Sequence, residues 1–203
     1  MVEHIEFLVE EPSMEVALRQ FLPRIIGGTS FAIYPHQCKE DLLNSLSNRL
    51  RGYSSWIPQG YRIVVVVDGD DDDCRELKDK LEEAARNAGL VTRSQSGRQV
   101  YQVVNRIAVE ELEAWFFGDW DAVLRAFPAV SPNVPNKQRY RDSDGISGGT
   151  WEALERVLIR AGYFKTGLRK IEAARSIAQH MDPAINRSRS FQVFRDVLVE
   201  MTT

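Results

Sequence analysis

Apolar and polar residues alternate at the start of the chain, whereas the apolar run near residue 64 is unbroken. The two patterns predict different surroundings. Ile5, Phe7 and Val9 occupy every second position of residues 3–9, the period of a strand. Val64, Val65, Val66 and Val67 close a strand at 61–67 that has no polar face, so it belongs inside a largely parallel sheet covered on both sides. Further strands are expected at Phe31–Tyr34 and Val100–Val104. Between them the spacing turns helical. Val16, Leu18, Phe21 and Leu22 give one apolar face, with Pro23 and Gly27-Gly28 expected to close that helix. Leu42, Leu43, Leu46 and Leu50 mark a helix at 39–50, and Leu77, Leu81, Ala84 and Ala88 one at 74–88 that Gly89 ends. Strand and helix alternating over residues 1–120 predict an α/β fold with a central sheet flanked by helices.

After residue 125 the pattern changes. Pro128, Pro132, Pro135 and the run Asp142-Ser143-Asp144-Gly145-Ile146-Ser147-Gly148-Gly149 predict a long loop. Three helices are then expected: at 151–161 with Thr150 as its cap, at about 168–181, and a last one capped by Ser190 that turns Phe191, Phe194, Val197 and Leu198 inward. This divides the chain into an α/β domain, 1–125, and a loop plus helical extension, 126–203, packed on it.

The valine strand ends in Asp68-Gly69-Asp70-Asp71-Asp72-Asp73, five carboxylates within six residues. Asp73 with Glu76 three positions on fits a helix cap, and Asp71 or Asp72 fit solvated acids of a first turn or loop. Asp68 and Asp70 precede the cap and sit at a strand's carboxyl end, where open α/β sheets bind ligands. Crowded carboxylates repel unless a cation takes up the charge, and a hard divalent cation is the natural one. An EF-hand does not fit: counted from Asp68, the sixth position is Asp73 instead of Gly and the twelfth is Asp79 instead of Glu. Glu10 follows the first strand as Asp68 follows the third, so the two ends can lie side by side. Glu10, Asp68 and Asp70 would hold Mg²⁺ or Mn²⁺, with Glu10 also assigned catalytic proton transfer. Glu110, Glu111 and Glu113 are read into the first turns of a helix that follows Asn105-Arg106. Glu113 shares a face with Glu110 and is a further metal-ligand candidate.

Composition narrows the classes. The 203 residues are 43% hydrophobic and 27% charged, which is ordinary for a globular chain. The acidic N-terminus lacks a signal-peptide pattern and no apolar stretch is long enough for a bilayer, so the expectation is a cytoplasmic protein with no membrane partner. Two cysteines and three histidines, all scattered, disfavour disulfides and soft-metal chemistry. The net charge of −3 hides an asymmetry: residues 1–100 carry 12 basic and 16 acidic side chains, a balance of −4, while residues 137–195 carry 12 and 6, a balance of +6. That basic flank suits a polyanion. Within it Arg169, Lys170, Arg187 and Arg189 are the phosphate-binding candidates.

Taken together these residues resemble a known pattern. A Glu after the first strand and a later Asp-x-Asp after a buried strand look like the Toprim domain of topoisomerases, primases and overcoming-lysogenization-defect nucleases. The whole chain is similar to the Toprim-like proteins of domain-of-unknown-function family 4276. Phe7-Leu8-Val9-Glu10, Val67-Asp68-Gly69-Asp70 and Arg106-Ile107-Ala108-Val109-Glu110-Glu111-Leu112-Glu113-Ala114-Trp115 carry the resemblance. It implies that Glu10 is the Toprim glutamate and that Asp68 and Asp70 bind metal. The usual Glu-Gly pair is Glu10-Glu11 here, and the second carboxylate either enlarges the metal site or blocks a phosphate.

Three classes follow. The first is Mg²⁺-dependent phosphodiester hydrolysis on nucleic acid, as the nuclease subunit of a defence system with a separate ATPase. The second is a metal-dependent enzyme on nucleotides or nucleotide-sugars. The third is a non-catalytic binding subunit. No Gly-rich Walker loop is present, so this chain is not expected to hydrolyse ATP itself. The oligomeric state, a homo-oligomer included, stays open.

Overall fold

The computed structural model describes residues 1–70, 72–97 and 99–203. Its four strands are β1 (His4–Val9), β2 (Ser30–Pro35), β3 (Tyr61–Asp68) and β4 (Val103–Ala108), all parallel, in the order β2-β1-β3-β4. The helices are α1 (Pro12–Ile26), α2 (Lys39–Ser54), α3 (Cys74–Asn87), α4 (Leu112–Gly118), α5 (Trp120–Ala126), α6 (Thr150–Arg160), α7 (Lys170–Ala178) and α8 (Arg189–Thr202). The chain is therefore α/β, with a four-stranded parallel sheet between helices.

Both faces of the sheet are covered, as the valine run requires. Ile63 through Val67 are fully buried. Alternate residues go to opposite sides: Phe7, Val9, Val64 and Val66 join one apolar cluster, while Leu8, Ile63, Val65 and Val67 join another. The second cluster lies under α2 and α3. The first is larger and draws on α1, α4 and the segment after residue 125. Trp115 is its centre, with ring centroids of Phe191 and Phe194 at 5.2 and 5.0 Å and its indole N–H donating to Ser190 Oγ at 3.0 Å. Rings of this size bury enough apolar area to bind α8 to the sheet layer.

Several boundaries differ from the sequence reading, each for a local reason. The last strand is Val103–Ala108, not 100–104, so Asn105 and Arg106 belong to it. Asn105 is tolerated there because its amide donates to Glu82 at 3.0 Å, and Lys78 Nζ donates to its carbonyl at 2.7 Å. Glu110 and Glu111 accordingly precede α4, with Glu111 at its cap position. Helix α1 continues through Pro23 to Ile26, because Phe21, Leu22 and Ile26 all gain burial on that face. Asp73 does cap α3, accepting from the backbone of Arg75 at 2.7 Å and Glu76 at 3.3 Å. Thr150 is not a cap; it is the first residue of α6 and its hydroxyl donates to Glu111 at 2.9 Å. The cap of α8 is Ser188, two residues before Ser190, accepting from Phe191 N–H at 3.1 Å. Asp71 lies outside the described residues.

Candidate metal centre

In the order β2-β1-β3-β4 the connections leave β1 and β3 in opposite directions, so their carboxyl ends flank a crevice. Val9 is in register with Val66, which sets Glu10 beside the end of β3. Glu10 and Asp68 are buried, and Glu10 Oε2 accepts the Asp68 N–H at 2.9 Å. Glu11 turns the same way. Oxygens of Glu10, Glu11 and Asp68 all lie within 4.8 Å of one another. Asp68 Oδ1 is buried and has no hydrogen-bond partner.

The sequence candidates separate here. Glu10 and Asp68 are brought together. Asp70 is not in that group: its carboxylate accepts from Lys39 Nζ at 2.7 Å, and Asp72 does so at 2.8 Å. The acidic turn is held in place by backbone bonds, from Gly69 N–H to Ala108 O at 2.8 Å and from Asp70 N–H to Glu110 O at 2.7 Å. Asp70 adopts a φ of 46°, a left-handed conformation that Asp tolerates better than most residues. Glu113, almost fully buried, is close enough to raise the Asp68 pKa.

One member of the site, Lys39, was missed in the sequence. Glu11, expected either to enlarge the metal site or to block a phosphate, joins the acidic group at the cap position of α1. Lys39 opens α2, and nothing in its spacing ties it to the acidic run thirty residues on. Lys170, expected among phosphate binders, stands on the other flank, 3.5 Å from Glu11 Oε1 and 5.1 Å from the Trp151 ring centroid. Arg187 and Arg189 are elsewhere and exposed. Arg187 borders a cavity beside Gly118, while Arg189 borders an open cleft of about 540 Å³ together with Arg75, Lys78 and Arg106. That cleft starts at Cys74, next to the acidic turn.

Burial sets the charge of the site. It pushes the Glu10 carboxyl up to about 7, against the Asp68 backbone bond and the Lys39 charge. It pushes Glu113 up to about 7 as well, against the Lys170 charge. Asp68 is held well above the usual carboxylate range, first by burial and then by the charges of Glu10, Glu113 and Glu11. Lys39 is pushed up to about 12: burial opposes its charge, but the bonds to Asp70 and Asp72 outweigh that. A set of oxygen-only donors, crowded and with one oxygen orphaned, fits a hard divalent cation. Glu10, Glu11 and Asp68 are the residues that would hold it.

Among the described residues no helix is long and apolar enough to cross a membrane. Residues 9–199 match the family described as Domain of unknown function (DUF4276), and the chain belongs to it. Neither the curated proteins nor the solved structures yielded a match.

Proposed function

We propose that this chain is a Toprim-like, Mg²⁺- or Mn²⁺-dependent enzyme that hydrolyses phosphodiesters of nucleic acid. The observation that carries the reading is the Glu10, Glu11 and Asp68 group, with its orphaned Asp68 oxygen, at the ends of adjacent parallel strands. A divalent ion held there supplies Lewis-acid polarisation of a phosphoryl oxygen and lowers the pKa of bound water. The protein's own groups do the rest. Without metal the Glu10 carboxyl lies near 7, so it would lose its proton when an ion binds there and become a carboxylate able to act as ligand or base. Lys39 and Lys170 flank the acids and offer ammonium groups to phosphate oxygens. The cleft lined by Arg75, Arg106 and Arg189, with Asp79 also on its wall, offers sequence-independent phosphate contacts that end beside the acidic turn. A separate ATPase subunit and a role in defence belong to the same proposal and rest on the resemblance to Toprim nucleases alone.

The test is a panel of plasmid, single-stranded DNA, RNA and nucleotide-sugar substrates with Mg²⁺, Mn²⁺ or chelator. Cleavage of a polynucleotide that needs metal and disappears in Asp68→Ala is the expected result. Turnover of only the nucleotide-sugar would replace this reading with the small-molecule one. Metal binding without turnover of any substrate would leave a binding subunit.

A further inference from the structure

A second site lies between the loop after residue 125 and α6. A cavity of about 540 Å³, within the range of small-molecule pockets, is bordered by Lys137, Arg139, Arg156 and Arg160 and by no carboxylate. Among the described residues none of these four cations makes an ion pair. Arg156 and Arg160 are one helical turn apart on α6, where like charges destabilise the helix. An anion between them removes that cost. Arg139 is held by stacking, its guanidinium carbon 4.5 Å from the Tyr140 ring centroid, so its fork of donors loses little freedom on binding.

Two further features point to a ligand with more than charge. Tyr140, 3% exposed, borders the cavity and its hydroxyl is buried without a hydrogen-bond partner. Tyr140 also borders two neighbouring cavities, and a buried orphan hydroxyl is costly in the free protein, so a ligand that reached it from this side would relieve that cost. The remaining wall is mainly aliphatic, with Val134, Val157, Ala161 and Ile159, the last 41% exposed, beside Ser131. Four cations and an aliphatic wall in one cavity suit a polyphosphate joined to an uncharged body.

We propose that this pocket binds a nucleoside polyphosphate, with Lys137, Arg139, Arg156 and Arg160 on the phosphates and the nucleoside against Val134 and Val157. Binding is without hydrolysis. The site shares no residue with the acidic centre, and the proposal does not rest on the metal reading.

Calorimetry on the full chain in chelator, which silences the acidic centre, tests it with ATP, ADP, AMP, adenosine and pyrophosphate. Affinity is expected to fall in the order ATP, ADP, AMP, adenosine, with pyrophosphate weaker than ADP, and to weaken as salt rises. The double variant Arg156→Glu, Arg160→Glu should lose at least about tenfold in ATP affinity, consistent with charge-assisted bonds being the stronger class. Arg51→Ala with Arg86→Ala, exposed residues that border none of these cavities, should change nothing. Tyr140→Phe should weaken ATP while leaving the free protein folded, which circular dichroism checks. The absence of heat with ATP at millimolar concentration overturns the proposal. Unchanged ATP affinity in the double glutamate variant overturns its location, and pyrophosphate binding as tightly as ADP overturns the nucleoside part.

Discussion

Two buried carboxylates, Glu10 just after β1 and Glu82 on α3, make a natural experiment. Glu82 and Glu10 are nearly equally buried, at 7% and 6% exposure. Glu82 is held at about 2: burial raises it, but bonds from Ser94, Thr92, Asn105 and Lys78 more than offset that. Glu10 is held at about 7, because burial raises it, one backbone bond from Asp68 and the Lys39 charge only partly offset that, and the charges of Asp70 and Glu11 add to the rise. The same functional group is thus a permanent anion in one place and a proton carrier in the other. Burial raises both groups, and the supply of donors decides whether that rise survives. The Glu82 arrangement is complete without a ligand, while the Glu10 arrangement is short of positive charge.

The largest expected effect comes from removing the unpartnered member of the deficient group. Asp68→Ala should abolish any rise in melting temperature on adding millimolar Mg²⁺ or Mn²⁺, together with metal-dependent cleavage, while circular dichroism stays native. A metal-induced shift that survives the change would dissolve the contrast, since Glu10 would then be no more in need of a cation than Glu82.

Next in size are opposite responses to an isosteric amide. Glu82→Gln should cost about 2–3 kcal/mol in urea unfolding at neutral pH, since it removes a charged acceptor from four donors. Glu10→Gln, measured in chelator at mildly alkaline pH, should instead be neutral or stabilising by about 1–2 kcal/mol, because it deletes an anion from a crowded pocket. Equal losses in both variants would show the two environments to be alike.

The pH dependence sharpens the same point. Glu82 has a folded pKa of about 2 against 4.5 for the ordinary group, so its contribution is present above 4.5 and is lost as pH falls toward 2. Glu10 and Glu113 run the other way. Their carboxyls near 7 keep protons that the unfolded chain has released, so stability without metal falls as pH rises from 4.5 to about 7. Metal competes with those protons, and Mg²⁺ affinity by calorimetry should therefore increase over that interval.

The smallest expected effect is at the surface flank. Lys39→Ala breaks contacts to Asp70 and Asp72, which are 46% and 50% exposed, so solvent screening limits the loss to about 0.5–1 kcal/mol. Its sharper signature should be a further rise of the Glu10 pKa, read by carboxyl NMR, since the Lys39 charge lowers it.

Much of this was legible in the chain. The unbroken valines fix a doubly covered parallel strand, and the strand-end rule places Glu10 beside Asp68 without knowledge of any contact. What the sequence hid were partnerships between distant polar residues. Asn105 and Arg106 read as the end of a strand because polar residues in a buried strand are normally a defect, and the Glu82 carboxylate that makes Asn105 acceptable is twenty-three positions away. Asp70 and Glu11 exchanged roles for a related reason. Which of two neighbouring acids faces the crevice depends on Lys39 and on a left-handed φ at Asp70, and neither has a local sequence signal.

The packing of Phe7 near Phe194, with ring centroids 6.5 Å apart, also bears on how the molecule is made. One face of β1 receives part of its cover from α8, so apolar surface of the sheet stays open until residues 189–202 have been made. Such a chain depends on chaperone attention during translation, and a stalled or clipped product ending before α8 is expected to aggregate instead of persisting as a shorter folded protein.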